Sequence, residues 1–290
     1  MAIQWALVIF TLLICLASGV FAGAGLLAVL GKGQKLQVPA IITALLALVI
    51  GGIASFVHLE HWSRAFNGFG HLSSGITQEL IGIVVFFIVL VIYFVVSRNG
   101  ETPKWAGVLA IIVGVGLVLV MSASYMMPSR PVWATLALYV FYLAQMVASG
   151  GAALWLISSA VGAHDANVIN ARITTIGGVL VIVSLVVYAG YISTISSPTV
   201  GYYFDPTDPT KEMQTTAGFG PQLLSGSLAI YFWSALIVGG AIAAILGFLR
   251  WKKADGGLPL SAIALVCTLA GGLAFRVVLY ILGVSAYAFY

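Results

Sequence analysis

The sequence predicts an all-α membrane protein with eight transmembrane helices in a single membrane domain. Two observations lead to this prediction. Only 7% of the residues are charged and 61% are hydrophobic, whereas about a quarter of the residues in a soluble domain are charged. Eight apolar segments are also long enough to cross a bilayer, which takes roughly 20 residues. A chain of this composition must expose most of its surface to lipid.

The eight apolar segments follow one another with mostly short connections, so consecutive helices should pack as antiparallel neighbours. The exception is a polar stretch around residues 196–224, where Pro206 and Pro209 mark turns beside Asp205 and Asp208. The predicted helices lie near residues 3–30, 38–57, 76–96, 105–125, 132–160, 173–195, 225–248 and 258–284.

The distribution of Lys and Arg predicts that both termini lie on the outer, periplasmic side. In that orientation the cytoplasmic side holds eight basic residues and the outer side three, as the positive-inside rule requires. The basic residues are scattered among loops, so we expect no nucleic-acid partner. The cytoplasmic eight are Lys32, Lys35, Arg98, Lys104, Arg172, Arg250, Lys252 and Lys253, and the outer three are Arg64, Arg130 and Lys211.

The cysteines and histidines limit the cofactors that the chain can hold. Cys15 and Cys267 lie in different apolar helices without a CxxC partner, so we expect no metal site and no iron–sulfur cluster. The histidines cannot form two bis-His pairs across the membrane, so no haem is expected. Three share one outer stretch and the fourth lies on the other side: His58, His61, His71 and His164.

Three ionisable residues within or at the ends of the spans mark a candidate site, because charged groups in a bilayer are costly. His58 closes the second helix, Glu79 lies about one turn into the third, and Arg276 lies in the eighth. At 1.5 Å per residue, His58 and Arg276 are roughly 30 Å and 27 Å above the inner ends of their helices. All three therefore belong to the outer layer, where Tyr125 and Tyr280 also lie.

These residue types suit the oxidation of a lipid-soluble quinol, which releases two protons and two electrons. Histidine ordinarily titrates near neutrality, which suits His58 to accept a proton, a partly buried Glu79 can be tuned towards neutrality, and Arg276 can hold the carboxylate or polarise a ring oxygen. Trp62, Phe66 and Tyr125 could flank an apolar ring. Such a protein would pass its electrons directly to a partner.

Two other functions remain open at this stage. A secondary transporter also places charges within spans, although such sites usually lie near the bilayer midplane. A haem b subunit would likewise serve quinol chemistry. The individual residues also have ordinary explanations, namely an interfacial His, a Glu at a helix N-terminus, a snorkelling Arg and belt aromatics.

Several motifs resemble the membrane-anchor subunits of the dimethyl sulfoxide reductase family. They are HLEHWSRAFN at 58–67, SSGITQELI at 73–81, SYMMPSRPVWAT at 124–135 and GGLAFRVVLY at 271–280. The resemblance implies a haem-free anchor in the cytoplasmic membrane of a prokaryote that oxidises menaquinol. It also implies an iron–sulfur subunit that relays the electrons to a molybdopterin catalytic subunit.

Carried over from this resemblance, the candidate quinol-site residues are His58, Arg64 and Glu79, with Arg276 in support. The surrounding candidates are Trp62, Phe66, Tyr125 and Tyr280. The sequence departs from the family pattern at Gly272, where many members carry Glu, so the proton route in the last helix can differ here. His61 and Trp62 are further departures, and the roles of His61 and His71 are not evident from the sequence.

Overall fold

Every regular element in the described part of the chain is helical. The computed structural model describes residues 3–57, 71–98, 100–128, 130–195, 219–253 and 257–283. Eight of its helices are long and apolar enough to cross a membrane. They are α1 (Trp5–Val29), α2 (Gln37–Val57), α3 (Gly75–Ser97), α4 (Lys104–Ser124), α5 (Leu136–Ala160), α6 (His164–Thr194), α7 (Ala229–Leu249) and α8 (Leu258–Leu282).

The helices alternate in direction, so the bundle has two ends. We call the end where α1 begins and α8 ends the terminal side, and the other end the opposite side. The ends of α2, α4 and α6 and the beginnings of α3, α5 and α7 lie on the terminal side. The predicted eight spans are therefore confirmed for the described residues, while the orientation of the bundle across the membrane stays a prediction.

The α5 and α6 helices begin away from their predicted positions, and side-chain hydrogen bonds accompany both differences. The α6 helix begins at His164 rather than near residue 173. There, Ser158 of α5 donates to Asn167 (2.6 Å) and accepts from Asn170 (3.3 Å). The α5 helix begins at Leu136 rather than near residue 132, where Thr135 caps it by accepting from a backbone N–H.

A third difference lies before α7. The predicted polar loop around residues 196–224 contains a short helix, Phe219–Leu224, at its end. The span that follows begins at Ala229 rather than near residue 225. Residues 196–218 of that loop lie outside the described ranges.

The α1 and α5 helices form the centre of the bundle. On one side α1 packs against α2 and α4, and on the other α5 packs against α6 and α8. Gly19 of α1 and Gly150 of α5 allow this arrangement, because a Cβ on Gly19 would overlap the carbonyl of Met146 and approach the Gly150 Cα to 2.9 Å. Small residues at such a crossing are typical of helices that associate in lipid.

Candidate functional site

Arg276 of α8 is fully buried near the terminal side, where α8 crosses α1. Its Nε donates to the Thr11 hydroxyl (2.8 Å), and one terminal nitrogen donates to the Thr11 carbonyl (3.1 Å) and to the Cys15 sulfur (3.3 Å). The other terminal nitrogen donates to the Gly272 carbonyl (2.9 Å). Thr11 and Cys15 are four residues apart, so one face of α1 supplies both contacts.

The positive charge of Arg276 has no carboxylate partner among the described residues. Instead, its guanidinium carbon lies 5.2 Å from the ring centroid of Tyr142 and 5.7 Å from that of Phe141. A buried cation held only by neutral groups attracts any anion that forms nearby, because charges interact strongly where the dielectric constant is low. The site can therefore stabilise a transient negative charge.

An aromatic cluster lies between Arg276 and the terminal-side surface. The hydroxyls of Tyr125 and Tyr280 are hydrogen-bonded to each other at 3.2 Å. The Trp133 ring lies 5.6 Å from that of Tyr125 and 5.5 Å from that of Tyr280, and the rings of Tyr125 and Tyr142 are 6.0 Å apart. Tyr280 is one helical turn beyond Arg276, so α8 supplies both the cation and half of the tyrosine pair.

Glu79 lies on the α3 side of this cluster. Its carboxylate is half-buried and accepts a hydrogen bond from the Ser124 hydroxyl at 3.0 Å. Ser124 immediately precedes Tyr125 in the chain, and the Tyr125 hydroxyl is bonded to that of Tyr280. Glu79 therefore lies close to the tyrosine pair, and Ser124 rather than Arg276 holds its carboxylate in place.

The α4–α5 connection closes over the cluster through bonds to two other helices. Trp133 donates its indole N–H to the Leu279 carbonyl (2.8 Å). Arg130 donates to the Gly283 carbonyl (2.9 Å) and lies over the Trp133 ring at 4.4 Å. Tyr191 of α6 donates to the Pro131 carbonyl (2.9 Å). The connection is thus fixed in place above the tyrosine pair.

Gly272 leaves space that the amide of Gln145 fills. A Cβ on Gly272 would lie 2.5 Å from the Gln145 nitrogen and 2.7 Å from its Cδ. Gln145 donates to the Thr268 carbonyl (2.9 Å), while its own side-chain oxygen is buried without a hydrogen-bond partner in the described structure. A buried amide from α5, rather than a carboxylate from α8, therefore lies beside the Arg276 turn.

The structure brings together four of the eight predicted site residues: Glu79, Tyr125, Arg276 and Tyr280. The other four lie outside the described residues, and their roles stay predictions: His58, Trp62, Arg64 and Phe66. Sequence reasoning missed the residues that complete the cluster. These are Thr11, Cys15, Ser124, Trp133, Tyr142 and Gln145.

Two cavities in the described structure lie away from this cluster. Within the described ranges, no three His, Cys, Asp or Glu residues are grouped so that they could hold a metal ion. One cavity of about 240 Å³ opens between α1, α4, α5 and α6 and is lined by Gly19, Gly23 and Ile173 among others. A second, of about 290 Å³, lies along α7 beside Trp233. Neither touches Arg276 or Glu79.

Comparison with known proteins gives two matches. The sequence model of the DMSO reductase anchor subunit (DmsC) family matches residues 1–282. The chain is also 30% identical over 138 residues to the anaerobic dimethyl sulfoxide reductase chain YnfH of Escherichia coli (strain K12). That alignment covers 45% of this chain and 49% of YnfH, so the chain spans about half the length of this relative. The family match extends over all eight spans, and the chain belongs to the DMSO reductase anchor subunit family.

Proposed function

We propose that this chain is the membrane-anchor subunit of a molybdopterin oxidoreductase and oxidises menaquinol. The two electrons from menaquinol would pass to an iron–sulfur subunit and from there to the molybdopterin catalytic subunit. The observation that carries this proposal is the buried Arg276, which lacks a carboxylate partner among the described residues and lies beside a tyrosine pair and Glu79. Family membership supports the role of anchor in a reductase complex.

Each residue of the site has a separate proposed role in quinol oxidation. One quinol loses two protons and two electrons to become the quinone. Glu79 is the proposed acceptor of the first proton, and the positive charge of Arg276 stabilises the anion left on the ring oxygen. One hydroxyl of the Tyr125–Tyr280 pair donates its hydrogen to the other. The second hydroxyl therefore still has a hydrogen that it can donate to a ring oxygen. His58 is the proposed acceptor of the second proton.

The predicted orientation places this site near the outer, periplasmic surface. Both the α4–α5 connection and the end of α8 lie on that side, so the electron-accepting subunit is proposed to dock there. The membrane in question would be the cytoplasmic membrane of a prokaryote. The anchor would need no haem if the electrons leave directly for the iron–sulfur subunit.

A substitution of Glu79 by Gln tests the proposal in the assembled complex. The quinol-dependent rate should fall about a hundredfold or more, the usual contribution of a general base. The rate with a reduced soluble dye that feeds the catalytic subunit directly should not change. Glu101→Gln is the matched control, because Glu101 is an exposed acid on the opposite side. Equal quinol-dependent rates in the two variants would rule out Glu79 as the proton acceptor.

A further inference from the structure

Basic and aromatic side chains meet on the opposite side, where α6 approaches the end of α7. The guanidinium carbon of Arg172 lies 5.5 Å from the ring centroid of Trp251, and the Arg172 Nε donates to the Trp251 carbonyl at 3.4 Å. Lys252 and Lys253 follow Trp251 and are exposed. We call these four residues the basic corner. The fold thus joins cations that are separated by some eighty positions in the sequence.

The charges of the basic corner are accessible to a ligand. Arg172 is exposed, and its one hydrogen bond to the described residues uses Nε, which leaves its two terminal nitrogens available. Arg250 differs, because its side chain packs inward against Gly257. The α7–α8 connection adds one acid, Asp255, which lies outside the described residues. The basic corner thus carries three exposed cations, against one acid in the sequence of the α7–α8 connection.

Exposed apolar side chains lie directly beneath these charges. Ile176 is one turn deeper than Arg172 on α6 and is 49% exposed. Phe248 of α7 is 65% exposed, and its ring centroid lies 6.1 Å from that of Trp251. The two helices are in contact at this level, since a Cβ on Gly247 would lie 2.6 Å from the Ala171 carbonyl. A cationic layer thus lies immediately above an apolar surface.

We propose that the basic corner binds the headgroup of an anionic phospholipid. Arg172 suits the phosphate because a guanidinium can donate two parallel hydrogen bonds to its oxygens. Lys252 and Lys253 add positive charge at the level where anionic lipid headgroups lie. Trp251 occupies the interfacial level, and Ile176 and Phe248 contact the acyl chains.

A topological role for the cations does not account for this geometry. The positive-inside rule requires charge in a connection, and it needs no contact between a guanidinium and an aromatic ring. Lys32 and Lys35 illustrate the difference. Both are exposed cations on the same side of the bundle, yet neither lies over an aromatic ring in the described structure. They provide a matched control with the same total charge.

Lipid exchange on the purified full-length chain tests the proposal. The protein is placed in nanodiscs of phosphatidylcholine with a minor fraction of phosphatidylglycerol, and bound lipid is counted by native mass spectrometry. Wild-type protein should retain phosphatidylglycerol in preference to phosphatidylcholine. Arg172→Gln with Lys252→Gln should reduce this preference about 25-fold, since each charge near the lipid surface contributes roughly a factor of five.

Two further measurements decide between explanations. Lys32→Gln with Lys35→Gln should keep the preference, and an equal loss in both double variants would overturn the site in favour of a general charge effect. Retention of the preference after removing Arg172 and Lys252 would also overturn it. Millimolar inorganic phosphate should not displace the lipid, because phosphate lacks the acyl chains. Displacement by phosphate would show an anion site rather than a lipid site.

Discussion

The hydrogen bond between Thr11 and Arg276 offers a direct test of how α1 positions the buried cation. Thr11→Val keeps the shape of the side chain and removes the hydroxyl that accepts from Arg276 at 2.8 Å. Thr268→Val is the matched control. Thr268 is equally buried, and its hydroxyl donates only within its own helix, to the Leu265 carbonyl. The Thr11 hydroxyl makes the same kind of bond, to the Val8 carbonyl.

The expected cost follows from the charge of the donor. Hydrogen bonds between membrane helices contribute about 0.6 kcal/mol on average and up to about 1.7 kcal/mol, and those to charged groups contribute about 1.5–3 kcal/mol. Thr11→Val should therefore lower the free energy of unfolding by about 1.5 kcal/mol more than Thr268→Val does. The Thr11 carbonyl still accepts from Arg276 in the variant, so the loss is partial.

Equilibrium unfolding of the full-length chain in bicelles by steric trapping measures this difference. The same pair of substitutions is then repeated in an Arg276→Met background as a double-mutant cycle. There, the excess cost of Thr11→Val should disappear, because the donor is gone. Equal costs for Thr11→Val and Thr268→Val in the native background, or an excess that persists without Arg276, would refute this explanation.

Two further predictions concern packing and cofactor content. Gly272→Ala should lower the free energy of unfolding by about 1–3 kcal/mol, because the added Cβ meets the Gln145 amide, and Gln145→Ala should relieve most of that cost. A cost that is unchanged in the Gly272→Ala, Gln145→Ala double variant would contradict the packing argument. The visible absorption spectrum of the purified chain should lack a Soret band, and a stoichiometric Soret band would favour a haem b subunit instead.

The eight spans were predictable because each is an uninterrupted apolar segment. The boundaries were less so, since they depend on bonds between distant residues. Val132 and Trp133 look like the start of α5, but the Trp133 indole finds its acceptor on α8 and both residues stay in the connection. Similarly, Asn167 and Asn170 look like a loop, although both are buried in α6 and hydrogen-bonded to Ser158.

Two kinds of site residue were predictable from the sequence. They are charged residues in apolar segments, and residues whose depth in the bilayer follows from their position along a helix. Glu79 and Arg276 stand out as ionisable residues in apolar segments, and counting along the helices brings Tyr125 level with Tyr280. Their partners do not stand out. Thr11 and Cys15 are ordinary residues in a membrane helix, 265 and 261 positions from Arg276. Their spacing by four on one face of α1 was the available signal.

The aromatic members of the cluster gave a misleading signal. Trp133 lies at the predicted start of the fifth span, where belt aromatics are common, and Tyr142 lies well inside that span among ordinary apolar residues. The structure instead buries both of them beside Tyr125. Gln145 was likewise unnoticed, because its importance depends on the empty volume at Gly272, and only the packing of α5 against α8 reveals it.

Photolabelling with an azido-menaquinone tests the central proposal most directly. After irradiation of the assembled complex, mass spectrometry should locate the label on peptides that carry Glu79, Tyr125 or Tyr280. Arg276→Gln should abolish that labelling while the reduced-dye activity of the complex persists. Labelling confined to other regions, such as the groove beside Gly23 and Ile173, or labelling that is unaffected by Arg276→Gln, would contradict a quinol site at the buried arginine.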